Sequence, residues 1–262
     1  MELSDLEEKA TWVRHKVLDM VYQAGRGHIG SSLSCVELLV AIYYSGMFDF
    51  PNDKFILSKG HACASLYAIL ADLGYFDLEQ LETFNQEFSV LEGHANNKVN
   101  GIEVSTGSLG QGLGIGVGYA LGMHMKNEPY KVVVLMSDGE CWEGTVWEAA
   151  MLAAHHHLSN LILIVDRNQQ CVLDYTESVN RLEPLAYKWE AFGWHFIEAE
   201  GHSFEDLMLS LYQATLVANK PIVIIADTIK GKGIPFMERN VAWHHSPLTE
   251  ELYKEAQSGI GY

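Results

Sequence analysis

Cysteine, proline and basic residues are all scarce in this chain of 262 residues. Its four cysteines, Cys35, Cys63, Cys141 and Cys171, stand far apart with no C-x-x-C pair. That spacing argues against a zinc cage and a disulfide framework, leaving reduced thiols and a cytoplasmic location as the simplest expectation. Six prolines are scattered, and neither a low-complexity linker nor an internal repeat stands out, so one domain over residues 1–262 is expected. Only 17 Lys and Arg face 34 Asp and Glu, a net charge of −17. Such a field repels nucleic acid and anionic membranes, so neither is expected as a partner, and a phosphate ligand would need local help. The opening MELSDLEEKA is acidic and polar, unlike a secretory or transit peptide. The most apolar glycine-rich stretch, Leu109 to Met123, carries Gln111 and a glycine at nearly every second position, which makes a poor membrane span.

What is present reads as a globular α/β protein: 48% hydrophobic residues and a mean hydropathy of +0.01, in a chain long enough for a sizeable core. Ser4 with Glu7 and Ser34 with Glu37 read as capping boxes, predicting a helix to about Tyr22 and another over VELLVAIYY. The first third is therefore expected to be mostly helical. From Lys131 onward, apolar runs alternate with helical stretches: VVVLM, a helix over 143–157, LILIV, a helix near 182–191, WHFIEA, a helix near 204–218 and PIVIIAD. Continuous apolar runs separated by helices imply a parallel sheet with helices on both faces. In such sheets ligands gather beyond the carboxyl ends of the strands. The loops there are SDGE (137–140), DRNQQ (166–170) and TIKGKG (228–233).

Asp138 and Asn168 each follow a predicted strand, thirty positions apart. A carboxylate, an amide oxygen and a backbone carbonyl such as that of Gln170 suit a hard octahedral cation like Mg²⁺, with phosphate oxygens completing the shell. Read without that partner, Asp138-Gly139 is a turn and Asn168 a loop cap. The glycine-rich segment STGSLGQGLGIGVGYALG fits G-x-G-x-x-G in no register, and no G-K-[ST] occurs, which weakens dinucleotide and P-loop readings. Gly110, Gly114, Gly118 and Gly122 recur every fourth residue, a bare helical ridge that suits either close packing within the domain or a subunit interface. Several of the twelve histidines follow glycine, as in Gly27-His28, Gly60-His61 and Gly93-His94; such residues can bind phosphate or sugar hydroxyls and move protons near neutral pH. The triplet His155 to His157 points in three directions and makes no cage.

Taken together, GHIGSSLS, DKFILSKGHACASLYAIL, GHANNKVNGIEVSTGSLGQGLGIGVGYALG, SDGECWEGTVWEAA, DRNQQ and KGKGIPFMERNVAWHH resemble the N-terminal, diphosphate-binding half of transketolase. The resemblance spans essentially the whole chain and implies the thiamine diphosphate-binding fold. It implies that Asp138, Asn168 and the Gln170 carbonyl hold Mg²⁺, or another divalent cation such as Ca²⁺ or Mn²⁺. It places Gly139, Glu140, His61 and His244 at the diphosphate. His28, His61 and His94 would face the thiazolium and the sugar hydroxyls, and Gly107, Ser108 and Leu109 would support the aminopyrimidine. Glu143 matches a buried acid that contacts the activating acid across the subunit interface.

Three departures from the family pattern stand out: Ser137 for the first Gly of G-D-G, Ile29 for the Pro of G-H-P-G, and Arg167 or Gln169 where a second Asn is common. Ser137 fits provided its φ is negative. Transketolase in one piece is more than twice this length, so the resemblance implies a split enzyme. A separate C-terminal subunit would carry the pyrimidine-binding domain, with two copies of this chain in a heterotetramer. The expected activity is transfer of a two-carbon ketol unit from a ketose or ketose phosphate to an aldose. The alternatives are an α subunit of a 2-oxo acid dehydrogenase and a non-catalytic cofactor-binding subunit.

Overall fold

The structure, a computed structural model, describes residues 2–260, so the ends of the expected 1–262 domain lie outside the described residues. Five strands form one sheet in the order β1-β2-β3-β5-β4, every neighbouring pair parallel: β1 Lys54–Leu57, β2 Val132–Ser137, β3 Leu161–Arg167, β4 His195–Glu200 and β5 Ile222–Asp227. The helices are α1 Leu3–Ala24, α2 Ile29–Ser34, α3 Val36–Tyr44, α4 Cys63–Asp72, α5 Gln111–Lys126, α6 Gly144–His155, α7 Thr176–Val179, α8 Leu185–Ala191, α9 Phe204–Leu216 and α10 Glu250–Gly259.

Alternate strand residues point to opposite faces, and each face carries its own core. Val133, Leu135, Ile162, Ile164 and Ile224 pack with α1, α3, α4 and α9. Val132, Val134, Leu161, Leu163 and Val223 pack with α5, α6 and α8. Burial on both sides explains why β2, β3 and β5 read as unbroken apolar runs, and the parallel sheet expected from them is the one observed.

Two local expectations are corrected. The capping box of α1 is Glu2 with Asp5, ahead of Ser4 and Glu7 in the chain, and α3 starts from Cys35 rather than a Ser34 cap. Glu37 is buried instead, ion-paired to Arg14 and bonded to His202 Nδ1 at 3.0 Å. The strand β1 escapes the sequence pattern because it is only four residues long. Among the described residues no helix is long and apolar enough to cross a membrane.

The carboxyl ends of β1, β2, β3 and β5 open into the loops at 58–62, 138–143, 168–175 and 228–245. These converge with the start of α2 and with the long segment that precedes α5.

Candidate active site

Strand β2 ends in Ser137, whose φ of −87° and ψ of 158° are extended, so a side chain is carried there without strain. The next residue, Asp138, is wholly buried. Its Oδ1 accepts the Gly139 N–H at 2.8 Å, and its Oδ2 accepts the Gln169 N–H and an Arg167 guanidinium N–H, both at 2.8 Å. Arg167 is thereby explained as a fastener: the same guanidinium also donates to Thr176 and Glu183 at 2.8 Å and to Glu177 at 3.2 Å. Burial raises the Asp138 carboxyl above the usual range, with Arg167 opposing that shift. Asn168 turns its Oδ1 to the Gln170 N–H at 3.1 Å. Gln170 anchors the loop by donating from Nε2 to the Arg239 carbonyl at 2.7 Å, while its Oε1 is buried without a partner.

Beneath this edge lies a fully buried ion pair between Lys59 and Asp166. Ser34 donates to Asp166 at 2.6 Å, Thr228 donates to its other oxygen, and Lys59 also donates to the Ser31 carbonyl at 2.9 Å. Burial opposes charge on Asp166, but the Lys59 ammonium and the two hydroxyls hold its carboxyl below the usual range. The network ties α2, the β1 loop, β3 and the β5 loop together under the site.

Above it four imidazoles surround His28. Ring centres lie 5.2 Å away for His61, 5.4 Å for His94, 5.4 Å for His244 and 4.9 Å for His245. The Nδ1 of His28 is buried without a partner. Burial, reinforced by His245, His94 and Lys230, lowers His28 to about 4. Burial with the nearby Lys230 lowers His244 to about 3, and burial with Lys59 takes His61 well below its ordinary value. These three rings are neutral at neutral pH, each able to donate and to accept. Lys230 Nζ lies 2.8 Å from His244 Nδ1. A lysine ammonium only donates, so the hydrogen of neutral His244 sits on Nε2. Lys230 also reaches the Gln170 carbonyl at 3.3 Å, and burial lowers it to about 8.

Gly107 allows His94 its place: φ is 146°, and a Cβ there would lie 2.8 Å from His94 Cδ2. A cavity of about 320 Å³ runs between these groups. Of the residues singled out from the sequence, His28, His61, His94, Gly107, Leu109, Gly139, Glu143, Asn168, Gln170 and His244 line it. Ser108, Asp138 and Glu140 do not. Glu140 is turned inward, its carboxylate accepting from Ser58 Oγ at 2.6 Å and from the Gly110 and Ser137 N–H groups at 2.9 Å. It pins the β2 loop to α5 from outside the cavity lining. Sequence reasoning passed over Ser31, Trp142, Cys171 and Lys230, which also line the cavity; the signal for Lys230 was its place in the loop after the last predicted strand.

Among the described residues no group of three or more His, Cys, Asp or Glu is arranged to hold a metal ion. An ion at this edge would draw on amide, carbonyl and phosphate oxygens beside the single Asp138 carboxylate. That mixed set suits a hard cation, and the orphaned Gln170 Oε1 and His28 Nδ1 mark polar capacity unused by the protein itself.

This arrangement places the chain in the class of α/β domains that take ligands beyond the carboxyl ends of a parallel sheet. Within that class it belongs to the transketolase thiamine diphosphate-binding family: the profile described as "Transketolase, thiamine diphosphate binding domain" matches residues 6–262. The chain is 40% identical over 263 residues to an apulose-4-phosphate transketolase subunit from Phocaeicola vulgatus, covering 98% of this chain and 94% of that one. It is 41% identical to a 6-deoxy-6-sulfo-D-fructose transketolase subunit from Clostridium sp., covering 96% and 94%. Human transketolase is 36% identical over 98% of this chain but only 43% of its own. The crystal structure of transketolase from Campylobacter jejuni superposes with a TM-score of 0.92 at 32% identity, covering all of this chain and 43% of that one. The chain thus spans nearly the length of the subunit-type relatives and under half that of the single-chain enzymes.

Proposed function

We propose that this chain is the diphosphate-binding subunit of a two-component transketolase, moving a two-carbon ketol unit from a ketose or ketose phosphate to an aldose. The observation that carries the reading is the convergence of neutral His28, His61 and His244 with Asn168 and Gln170 on one cavity at the sheet edge. A hydroxyl-rich substrate requires donors and acceptors of this kind, and the names of the subunit-type relatives give sugars as their substrates.

Asp138, Asn168 and the Gln170 carbonyl would hold Mg²⁺ or a similar divalent ion, with Gly139, His61 and His244 at the diphosphate. Lys230, by its contact with His244, joins that group. When bound, thiamine diphosphate supplies the carbanionic carbon and the electron sink for breaking a C–C bond. His244, holding its hydrogen on Nε2, donates into the cavity. His28 and His94 orient hydroxyls and exchange protons with them. Gly107 and Leu109 line the cavity wall that would support the pyrimidine end, and Glu143 would meet the activating acid contributed by a separate C-terminal partner. Two copies of this chain, paired within a heterotetramer in the cytoplasm, complete the proposal. Support for self-association comes from α5, where a Cβ at Gly114, Gly118 or Gly122 would meet nothing within 4 Å.

The test is reconstitution. The purified chain with thiamine diphosphate and Mg²⁺ is expected to turn over no ketose, and addition of a separate C-terminal subunit carrying the pyrimidine-binding domain is expected to restore ketol transfer. Substantial turnover by the chain alone would sink the split-site reading.

A further inference from the structure

The chain carries two adjacent histidines, His244 and His245, after its last strand, and the site described above uses only the first. They leave the backbone differently. His244 ends a short 3₁₀ turn over Val241–His244, and His245 follows with φ −153° and ψ 87°. His244 is partly buried and lines the cavity, whereas His245 is exposed and stands outside that lining. Both rings nevertheless come to His28, at 5.4 Å and 4.9 Å.

The segment is held there by close backbone packing. A Cβ on Gly30, in α2 just beyond His28, would lie 2.6 Å from the Trp243 carbonyl oxygen, so the absence of a side chain lets the turn press against that helix. Beside it, the Gly231 N–H donates to the Gly30 carbonyl at 3.1 Å. The exposed imidazole is therefore set by the fold at the outer edge of the histidine group, next to the one ring that touches all the others.

From this placement we infer that His245 is a specificity residue that hydrogen-bonds the distal hydroxyls of the ketose donor, the ones beyond the bond that breaks. This rests on the transketolase reading above. With its carbonyl end inside the cavity beside His28 and His94, a five- or six-carbon donor would extend its remaining carbons outward past His28, toward His245. A three-carbon donor such as hydroxypyruvate has no hydroxyl beyond that bond.

Steady-state kinetics of the reconstituted two-subunit enzyme with His245→Ala and His245→Asn test the assignment. The donors are hydroxypyruvate and whichever of D-xylulose 5-phosphate, D-fructose 6-phosphate and 6-deoxy-6-sulfo-D-fructose the wild type turns over. KM for the long donor is expected to rise about threefold to tenfold in His245→Ala, the worth of one neutral hydrogen bond, with kcat little changed and partial recovery in His245→Asn. KM for hydroxypyruvate should stay at the wild-type value, as should the affinity for thiamine diphosphate and Mg²⁺ measured by calorimetry. An equal rise for both donors, no change for either, or weakened cofactor binding would each overturn it. A wild type inactive on every donor in the presence of its partner would instead overturn the transketolase reading itself.

Discussion

At the scale of single residues, the site works by keeping imidazoles uncharged. His28 sits among four other rings near Lys230, and its value of about 4 against an ordinary 6.5 makes it a neutral donor and acceptor throughout the physiological range. The same shift couples to stability. Between pH 6.5 and about 4 the unfolded chain binds a proton at His28 that the folded chain does not, so stability falls as the pH drops through that window and levels off below it. Urea unfolding of His28→Asn is expected to lose less stability between pH 7 and pH 4 than the wild type; identical pH profiles would contradict the assignment. Arg167 shows the opposite economy, one guanidinium serving Asp138, Thr176, Glu177 and Glu183. Replacing it leaves Asp138 buried without its counter-charge, so Arg167→Met should cost about 3–5 kcal/mol in equilibrium unfolding.

At the scale of elements, α5 resolves the glycine pattern into two unlike sets. Gly112 and Gly116 face inward, where a Cβ would collide with Ser58 and Val134, while Gly114, Gly118 and Gly122 face open space. Gly110, the first of the four expected on that ridge, instead precedes α5 at φ 84° and packs against Glu143; only Gly114, Gly118 and Gly122 are not needed for packing within the described chain. Glycine in a helix interior costs about 1 kcal/mol relative to better helix formers, and three such costs on one open face are understandable where another helix must come close. Gly118→Leu separates the cases. If the face is a subunit interface, the variant should fold with equal or greater stability yet lose self-association in sedimentation velocity. A variant that associates like the wild type would remove α5 from the interface.

At the scale of the whole molecule, a net charge of −17 opposes a diphosphate, and the fold answers locally with Lys230, which lines the cavity beside His244. Thermal unfolding of the two-subunit enzyme is expected to shift upward with thiamine diphosphate only when a divalent ion is present, because a ligand stabilises only by binding the native state. An equal shift in the presence of a chelator would mean that Lys230 and the histidines hold the diphosphate unaided. The chain matches under half of single-chain transketolases and nearly all of the subunit-type relatives, and the reconstitution proposed above tests whether another chain completes the cavity.

How much of this could be read from residue order follows from the range of the forces involved. The strands β2, β3 and β5 announce themselves because burial on both faces demands unbroken apolar runs, and the loops behind them are located by chain order alone. The family is legible because Asp138-Gly139 and Asn168 lie one strand–helix–strand unit apart, a spacing set by local geometry. Other features depend on segments distant in sequence. The short β1 takes its place at the sheet edge only by pairing with β2, and β5 inserts between β3 and β4 against chain order. Glu140 is a polar, buried residue whose three hydrogen-bond partners are spread from Ser58 to Ser137, so no local pattern could show that it faces inward. Lys230 acquires its contact with His244, and His245 its contact with His28, only when the loop after β5 is pressed onto α2. Hydrophobic periodicity and turn chemistry act over a few residues, whereas the convergence of His28, His61, His94 and His244 on one cavity is a product of packing across more than two hundred.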